Sequence, residues 1–68
     1  MNDRHAIPAE QRLAYSIKQF ANATSLSERH VRYEIAAGRL RVIKSGHRAL
    51  ITRAEADRYI AELEARAY

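Results

Sequence analysis

The 68-residue chain has no cysteine, one proline and two glycines, and its apolar runs are only a few residues long. Without cysteine, neither a disulfide framework nor a thiolate zinc site can stabilise so small a fold, and no oxidising compartment is required. No run approaches the roughly 20 apolar residues of a membrane-spanning helix, and the N-terminus carries charges where a signal peptide is hydrophobic. We therefore expect a cytoplasmic chain without membrane contact, whose single core contributes about 3 to 5 kcal/mol of stability.

Residues that could build an active site are also scarce. The three histidines, His5, His30 and His47, fall in three separate predicted segments, and no carboxylate spacing assembles a catalytic or metal site around them. We expect no enzyme activity, no metal, no cofactor and no small-molecule substrate.

The chain has more basic than acidic residues, and the basic residues are unevenly distributed along it. Seven of the twelve Lys and Arg residues lie between residues 29 and 53 with Glu34 as the single acid, whereas the rest holds five bases and seven acids. Clustered cations attract a phosphate backbone more strongly than the same charge spread evenly. This segregation favours a nucleic-acid-binding face, and a solvated arginine-rich face that binds nothing is the open alternative.

Hydrophobic spacing predicts a flexible arm followed by a first helix. Residues 1–13 contain the proline and show no sustained period, although Arg4 and Arg12 extend the basic character of the chain. Ser16 with Gln19 three residues later is typical of a capping box at a helix start. The apolar stripe of this helix consists of Ile17, Phe20, Ala21 and Thr24.

A second, short helix starts at Ser27, or at Ser25 if Ser25 and Glu28 form the capping box, and ends at Gly38. Spacing of 100° per residue places Val31 and Ile35 towards the core, with Leu26 and Leu40 closing over it. The opposite face carries Arg29, Tyr33 and Ala36, flanked by His30 and Arg32. The narrow apolar stripe indicates a helix with a core behind it and an anionic partner in front.

The remaining chain predicts a β-hairpin and a last helix. Residues 40–44 and 48–51 are rich in β-branched residues and flank the turn Ser45-Gly46-His47. Thr52 and Glu55 form a third capping box, and the core stripe of the last helix consists of Ala56, Tyr59, Ile60, Leu63 and Ala67. Its exposed side carries the opposite-charge pairs Arg58 with Glu62 and Glu62 with Arg66.

This order is typical of a winged helix-turn-helix fold, mainly α with a small β-hairpin, over residues 14–68. In that fold the second helix enters the major groove, and the hairpin, or wing, touches the adjacent backbone or minor groove. The candidate recognition-helix residues are Ser27, Arg29, His30, Arg32, Tyr33 and Ala36. The candidate wing residues are Lys44, Ser45, Gly46, His47 and Arg48.

The chemistry of these side chains suggests their roles. Arg29 and Arg32 can each donate two hydrogen bonds to guanine or bind only backbone, whereas Lys44 suits a phosphate. His47 and Arg48 suit a narrow minor groove, or form an ordinary exposed turn. Arg53 opposes the dipole at the start of the last helix, which a nearby phosphate would explain.

The run YSIKQFANATSLSERHVRYEIAAGRLRVIKSGHRALITRAEADRYIAEL, residues 15–63, resembles the excisionase and mercury-resistance-regulator-like winged-helix family. The matching positions are Leu26-Ser27, Gly38-Arg39-Leu40, Gly46 and residues 51–55. The chain departs from the family at residues 22–25, where the family has a compact Leu-Gly turn, and in its long N-terminal arm. These departures affect the expected angle between the first two helices more than the fold.

The resemblance implies a phage or mobile-element excisionase, or recombination directionality factor, acting on DNA in a bacterial cytoplasm. Such proteins bind repeated attachment sites, bend the DNA and promote excision by a tyrosine-type integrase. The resemblance also implies head-to-tail self-association on double-stranded DNA. Two alternatives stay open: a small transcriptional regulator of the same element, and a protein-interaction module that docks through residues 53–68 without binding DNA.

Overall fold

The structure is a computed structural model that describes residues 12–67. Within this range the chain forms three helices and a three-stranded antiparallel sheet, and it is mainly helical. The elements in chain order are β1 (Ala14–Ser16), α1 (Ile17–Thr24), α2 (Glu28–Ala36), β2 (Ile43–Ser45), β3 (Arg48–Thr52) and α3 (Arg53–Ala67). Residues 1–11 of the predicted arm, with Arg4 and His5, and Tyr68 lie outside the described residues.

Strand β1 was not predicted. It pairs antiparallel with β3, with Tyr15 opposite Ile51, so that the strand order is β1-β3-β2 and β3 is central. The Arg53 N–H extends this pairing by donating to the Leu13 carbonyl at 2.9 Å. A strand of three residues is too short to show a period of two, which is why the sequence did not reveal it. The predicted hairpin is therefore supported by a third strand.

The predicted helix starts are confirmed. At α1 the Ser16 hydroxyl accepts from the Gln19 N–H at 3.1 Å, and the Gln19 side chain accepts from the Ser16 N–H at 3.0 Å. At α2 the cap is Ser27, whose hydroxyl accepts from the His30 N–H at 3.0 Å. Gly38 follows the end of α2 with φ +81°, the left-handed conformation expected of a glycine after a helix.

The hairpin differs in detail from the prediction. Ser45 pairs with Arg48 as the last residue of β2, so Gly46 and His47 alone form the turn, and Gly46 has φ +63°. Leu40 is buried in the core instead of starting a strand. The segment before β2 is drawn towards α3, because the Glu55 carboxylate accepts from the Arg41 N–H at 3.0 Å.

The core combines residues from the stripes that the sequence predicted. Its buried members are Phe20, Ala21, Val31, Leu40, Ile51, Ala56 and Tyr59. The Phe20 ring meets the ring of Tyr59 edge-on, with 6.0 Å between centroids, and that of Tyr15 at 6.4 Å. Two residues assigned to the α3 stripe are exposed instead: Ile60, at 36%, lies at the margin of the stripe beside the buried Tyr59, and Ala67 lies beyond Leu63, where the helix extends past the small core. No helix within residues 12–67 has the length and apolar character to cross a membrane.

The connection between α1 and α2 contains a backbone feature that the sequence did not indicate. Ser25 has φ +62° and ψ 24°, and its N–H donates to the carbonyls that end α1. A side chain in this left-handed conformation costs about 1 to 2 kcal/mol relative to the right-handed one, and only glycine escapes that cost. The chain thus adopts here the geometry of a glycine turn without a glycine.

We expect Ser25→Gly to raise the free energy of unfolding by about 0.5 to 1 kcal/mol, because relief of the strain exceeds the entropy that glycine adds to the unfolded chain. Urea titrations of both proteins measure the difference. Ser25→Ala is the matched control, since alanine keeps the strain and gains nothing. A glycine variant no more stable than wild type would contradict the assigned turn geometry.

Candidate nucleic-acid interface

The outward face of α2 is exposed as predicted. Arg29, His30, Arg32, Tyr33 and Ala36 are all exposed, whereas Val31 on the opposite face is fully buried. Tyr33, at 61% exposure, does not pack against α1. The helix therefore presents cationic and aromatic side chains to solvent.

A groove between α1, α2 and the hairpin collects the predicted cations from two elements. We refer to this surface as the basic groove. It is formed by Lys18, Arg32, Lys44, His47 and Arg48, together with the flanking Ser16, Ile17, Glu28 and Ala49. An adjoining apolar groove is also lined by Arg32 and Lys44, between Ile35 and Val42. One arginine of α2 and one lysine of the hairpin thus lie on the same concave surface.

Lys18 is the basic-groove residue that the sequence did not identify. It lies in the first turn of α1, next to the cap Ser16, and is exposed. Lys18 lies beside the hairpin because of the way α1 packs against α2 and β3. The residues around Lys18 in the sequence do not specify that packing.

The cations differ in their partners. Arg39, Arg58 and Arg66 form ion pairs with glutamates. Lys18, Arg29, Lys44 and Arg48, by contrast, form no ion pair with any other described residue. Arg32 reaches Glu28 only at 3.9 Å, and both side chains are largely exposed. Most cations around the basic groove and α2 therefore keep their charge available to an external anion.

Two of the candidate DNA-contact residues, Ser27 and Arg53, are not among the residues that line the basic groove. The Ser27 hydroxyl caps α2, and its contact with DNA stays a prediction. Arg53 starts α3, and its N–H donates to the Leu13 carbonyl. Arg12, expected to extend the basic surface, lines a separate groove with Tyr15 and Gln19.

Behind the exposed face of α2 lies a buried polar network. The Glu34 carboxylate, on a residue 5% exposed, accepts from the Tyr59 hydroxyl at 2.7 Å through Oε1. Its Oε2 accepts from Arg39 Nε at 3.0 Å and from Nη2 at 2.7 Å. The hydrogen bonds from Arg39, and to a smaller extent from Tyr59, lower the pKa of Glu34 to about 2. Burial and the hydrogen bond to Glu34 raise the pKa of Tyr59 to about 12.

The sequence showed Glu34 only as the one acid in a basic segment. The available signal was indirect: a tyrosine on a core stripe needs an acceptor for its hydroxyl. Glu34 and Tyr59 are 25 residues apart, so no local pattern pairs them.

A second carboxylate ties the connection between α2 and the hairpin to α3. Glu55 Oε2 accepts from the Arg41 N–H at 3.0 Å and from Arg58 Nη2 at 2.6 Å. Arg58 Nη2 also donates to the Arg39 carbonyl at 2.9 Å. The hydrogen bond from Arg58 lowers the pKa of Glu55 to about 2. Helix α3 therefore helps to fix the hairpin relative to α2.

These two carboxylates predict acid sensitivity. Their folded-state pKa values of about 2 lie below the ordinary 4.5, so the stability that they contribute is complete above about pH 4.5 and is lost as pH falls towards 2. Urea midpoints measured between about pH 6 and pH 2 should fall steadily across this window.

The control for this prediction is Glu34→Gln, which is less stable at neutral pH but loses less further stability on acidification. A wild-type urea midpoint that stays flat down to about pH 3 would contradict the ionised state of both carboxylates in the fold.

No three His, Asp or Glu side chains in the described part of the chain lie close enough to share a metal ion. Comparison of the chain with protein-family models, with curated proteins and with solved structures finds no match. The interface must therefore be interpreted from its own geometry and charge.

Proposed function

We propose that the chain is a winged helix-turn-helix protein that binds double-stranded DNA through α2 and the β2–β3 hairpin. The observation that carries this proposal is the basic groove, where cations from α1, α2 and the hairpin converge and most lack an acidic partner in residues 12–67. A DNA backbone carries negative phosphates at regular spacing and could neutralise these cations together.

The shape of α2 supports insertion into a major groove. The major groove of DNA is about 12 Å wide and admits an α-helix. The face of the helix that enters must be free of core contacts and not crowded by side chains. Long side chains at Arg29, Arg32 and Tyr33 occupy the first turns, and the small Ala36 and Ala37 follow, all exposed. In this placement Arg29 and Arg32 reach base edges, and Lys44 contacts a phosphate beside the groove.

The connections between elements support the same placement. Only residues 25–27 separate α1 from α2, a length that suits a helix-turn-helix. The hairpin projects from the central strand with Gly46 and His47 at its exposed tip, where a wing would meet the adjacent backbone or minor groove. Arg53 stays a secondary candidate for a phosphate outside this surface.

Among DNA-binding roles we propose an excisionase, or recombination directionality factor, that binds and bends attachment-site DNA and promotes excision by a tyrosine-type integrase. Support for this step comes from the sequence resemblance over residues 15–63. A small transcriptional regulator would use the same groove-reading surface, so the two roles differ in the DNA that is bound.

A gel-shift titration at several salt concentrations tests the proposal. The probes are DNA from the attachment site and from promoters of the source genome, with random duplex as competitor. We expect discrete, cooperative complexes on attachment-site DNA whose affinity falls steeply with salt, by a slope of about 0.9 per neutralised phosphate on logarithmic axes. Preference for a promoter would favour the regulator, and no complex even at low salt would overturn DNA binding.

A further inference from the structure

Arg39 lies in the basic segment, yet its surroundings differ from those of the groove cations. Both Nε and Nη2 bind the same buried carboxylate oxygen of Glu34, at 3.0 and 2.7 Å. Glu34 is itself fixed by Tyr59, a fully buried residue of the core. The charge of Arg39 is therefore matched inside the protein, and its guanidinium is held by Glu34 of α2, which Tyr59 of α3 holds in turn.

The outer side of Arg39 faces the proposed DNA-reading surface. Its guanidinium carbon lies 5.4 Å from the centroid of the Tyr33 ring, within the range of a cation–π contact. The His30 ring lies at 29° to the Tyr33 ring, with 6.4 Å between centroids. A continuous set of contacts thus runs from the core residue Tyr59 through Glu34 and Arg39 to the exposed face of α2.

An exposed tyrosine without such a neighbour samples several rotamers, and ordering it on binding lowers affinity. The contact with Arg39 restricts the Tyr33 ring before DNA arrives. Arg39 is a weaker partner for a phosphate than the unpaired cations of the basic groove, because its charge is already matched by the buried Glu34 carboxylate, which holds its Nε and Nη2.

We propose that Arg39 is a positioning residue, which orients Tyr33 for contact with DNA and does not touch DNA itself. This inference rests on the proposed DNA-binding function. It adds that the contribution of Tyr33, one of the candidate recognition-helix residues, to DNA affinity depends on Arg39, which Glu34 and Tyr59 anchor to the core.

A double-mutant cycle on one attachment-site duplex tests the inference. We expect Arg39→Gln to weaken binding about three- to fivefold and Tyr33→Ala about tenfold, with the double variant no weaker than Tyr33→Ala alone. Arg39→Gln combined with Lys44→Ala should instead multiply the two losses, because Lys44 acts separately. The salt slope should be unchanged in Arg39→Gln and smaller by about one in Lys44→Ala.

Arg39→Gln leaves Glu34 without its cation, so the fold of each variant is checked by circular dichroism. If this variant is unfolded, Arg39→Lys takes its place in the cycle, since it retains a charge beside Glu34 but loses the planar guanidinium over Tyr33. NMR of the free protein gives a second readout, because the ring-proton shifts and side-chain couplings of Tyr33 should move towards averaged values in either variant.

Three results would overturn the inference: multiplying losses for Arg39 and Tyr33, a salt slope reduced by about one in the Arg39 variant, or unchanged Tyr33 NMR signals. Failure of wild type to bind any DNA is a different result, since it removes the proposed function. In that case the NMR comparison still decides whether Arg39 orients Tyr33.

Discussion

Phe20→Ala should leave most of the chain unfolded at 25 °C. Phe20 is 1% exposed and contacts the rings of Tyr15 and Tyr59, so truncation removes a buried aromatic at the centre of the core. Such a change costs about 3 to 5 kcal/mol, which equals the whole stability expected of a core this small. Far-UV circular dichroism and urea titration of the purified variant measure the loss.

Two matched variants bracket this result. Leu13→Ala, at a residue 87% exposed, should change the free energy of unfolding by less than about 0.5 kcal/mol. Phe20→Leu retains much of the apolar volume and should be intermediate. A Phe20→Ala protein that still unfolds cooperatively near the wild-type urea midpoint would show that the core does not depend on this ring.

This small margin affects how DNA-binding variants are interpreted. A change that reaches the core, including one at Tyr59 or Glu34, can reduce DNA binding by lowering the fraction of folded protein. Replacement of exposed side chains on α2 and the hairpin avoids this effect, which makes those positions the most informative, and variants of Arg39 need the check of their fold.

The parts of the fold that sequence predicted are those encoded locally. Ser16 and Gln19 lie three residues apart and form the predicted cap, and the 100° spacing around Val31 correctly separates the buried and exposed faces of α2. Gly46 likewise occupies a turn that only a few residues tolerate.

The parts that sequence missed depend on distant partners. Strand β1 exists because β3 offers it a free edge, and Glu34 is buried because Tyr59 and Arg39 both donate to it. Glu55 was predicted as a capping residue, and the Thr52 hydroxyl does accept from its N–H at 3.1 Å. Its carboxylate, however, binds Arg41 in a segment 14 residues away, which no capping pattern encodes.

The candidate site divides in the same way. Exposure of Arg29, Arg32 and Tyr33 follows from helical spacing, which the sequence contains. The convergence of Arg32 with Lys18 and Lys44 requires the packing of α1 against α2. That packing depends on the connection between the two helices, in which Ser25 adopts a conformation unusual for serine.

Arg32→Ala and Lys44→Ala should weaken DNA binding in different ways, although both residues line the basic groove. The Arg32 side chain is 64% exposed and loosely paired with Glu28 at 3.9 Å, so it is free to donate to a guanine edge from α2. We expect Arg32→Ala to weaken the specific site by about 5- to 150-fold, and random duplex much less. Competition gel shifts with base-substituted duplexes measure the difference.

Lys44→Ala should instead weaken specific and random duplexes about equally and reduce the salt slope by about one, as loss of a single phosphate contact does. Arg66→Ala is the matched control, because Arg66 lies in the last turn of α3, pairs with Glu62 at 4.0 Å and should leave DNA binding unchanged. Equal losses from Arg32→Ala and Lys44→Ala, with no change in site preference, would mean that Arg32 contacts only backbone. Sequence reading would then have to come from other residues of α2, of which Arg29 is the arginine that keeps its charge unpaired within residues 12–67.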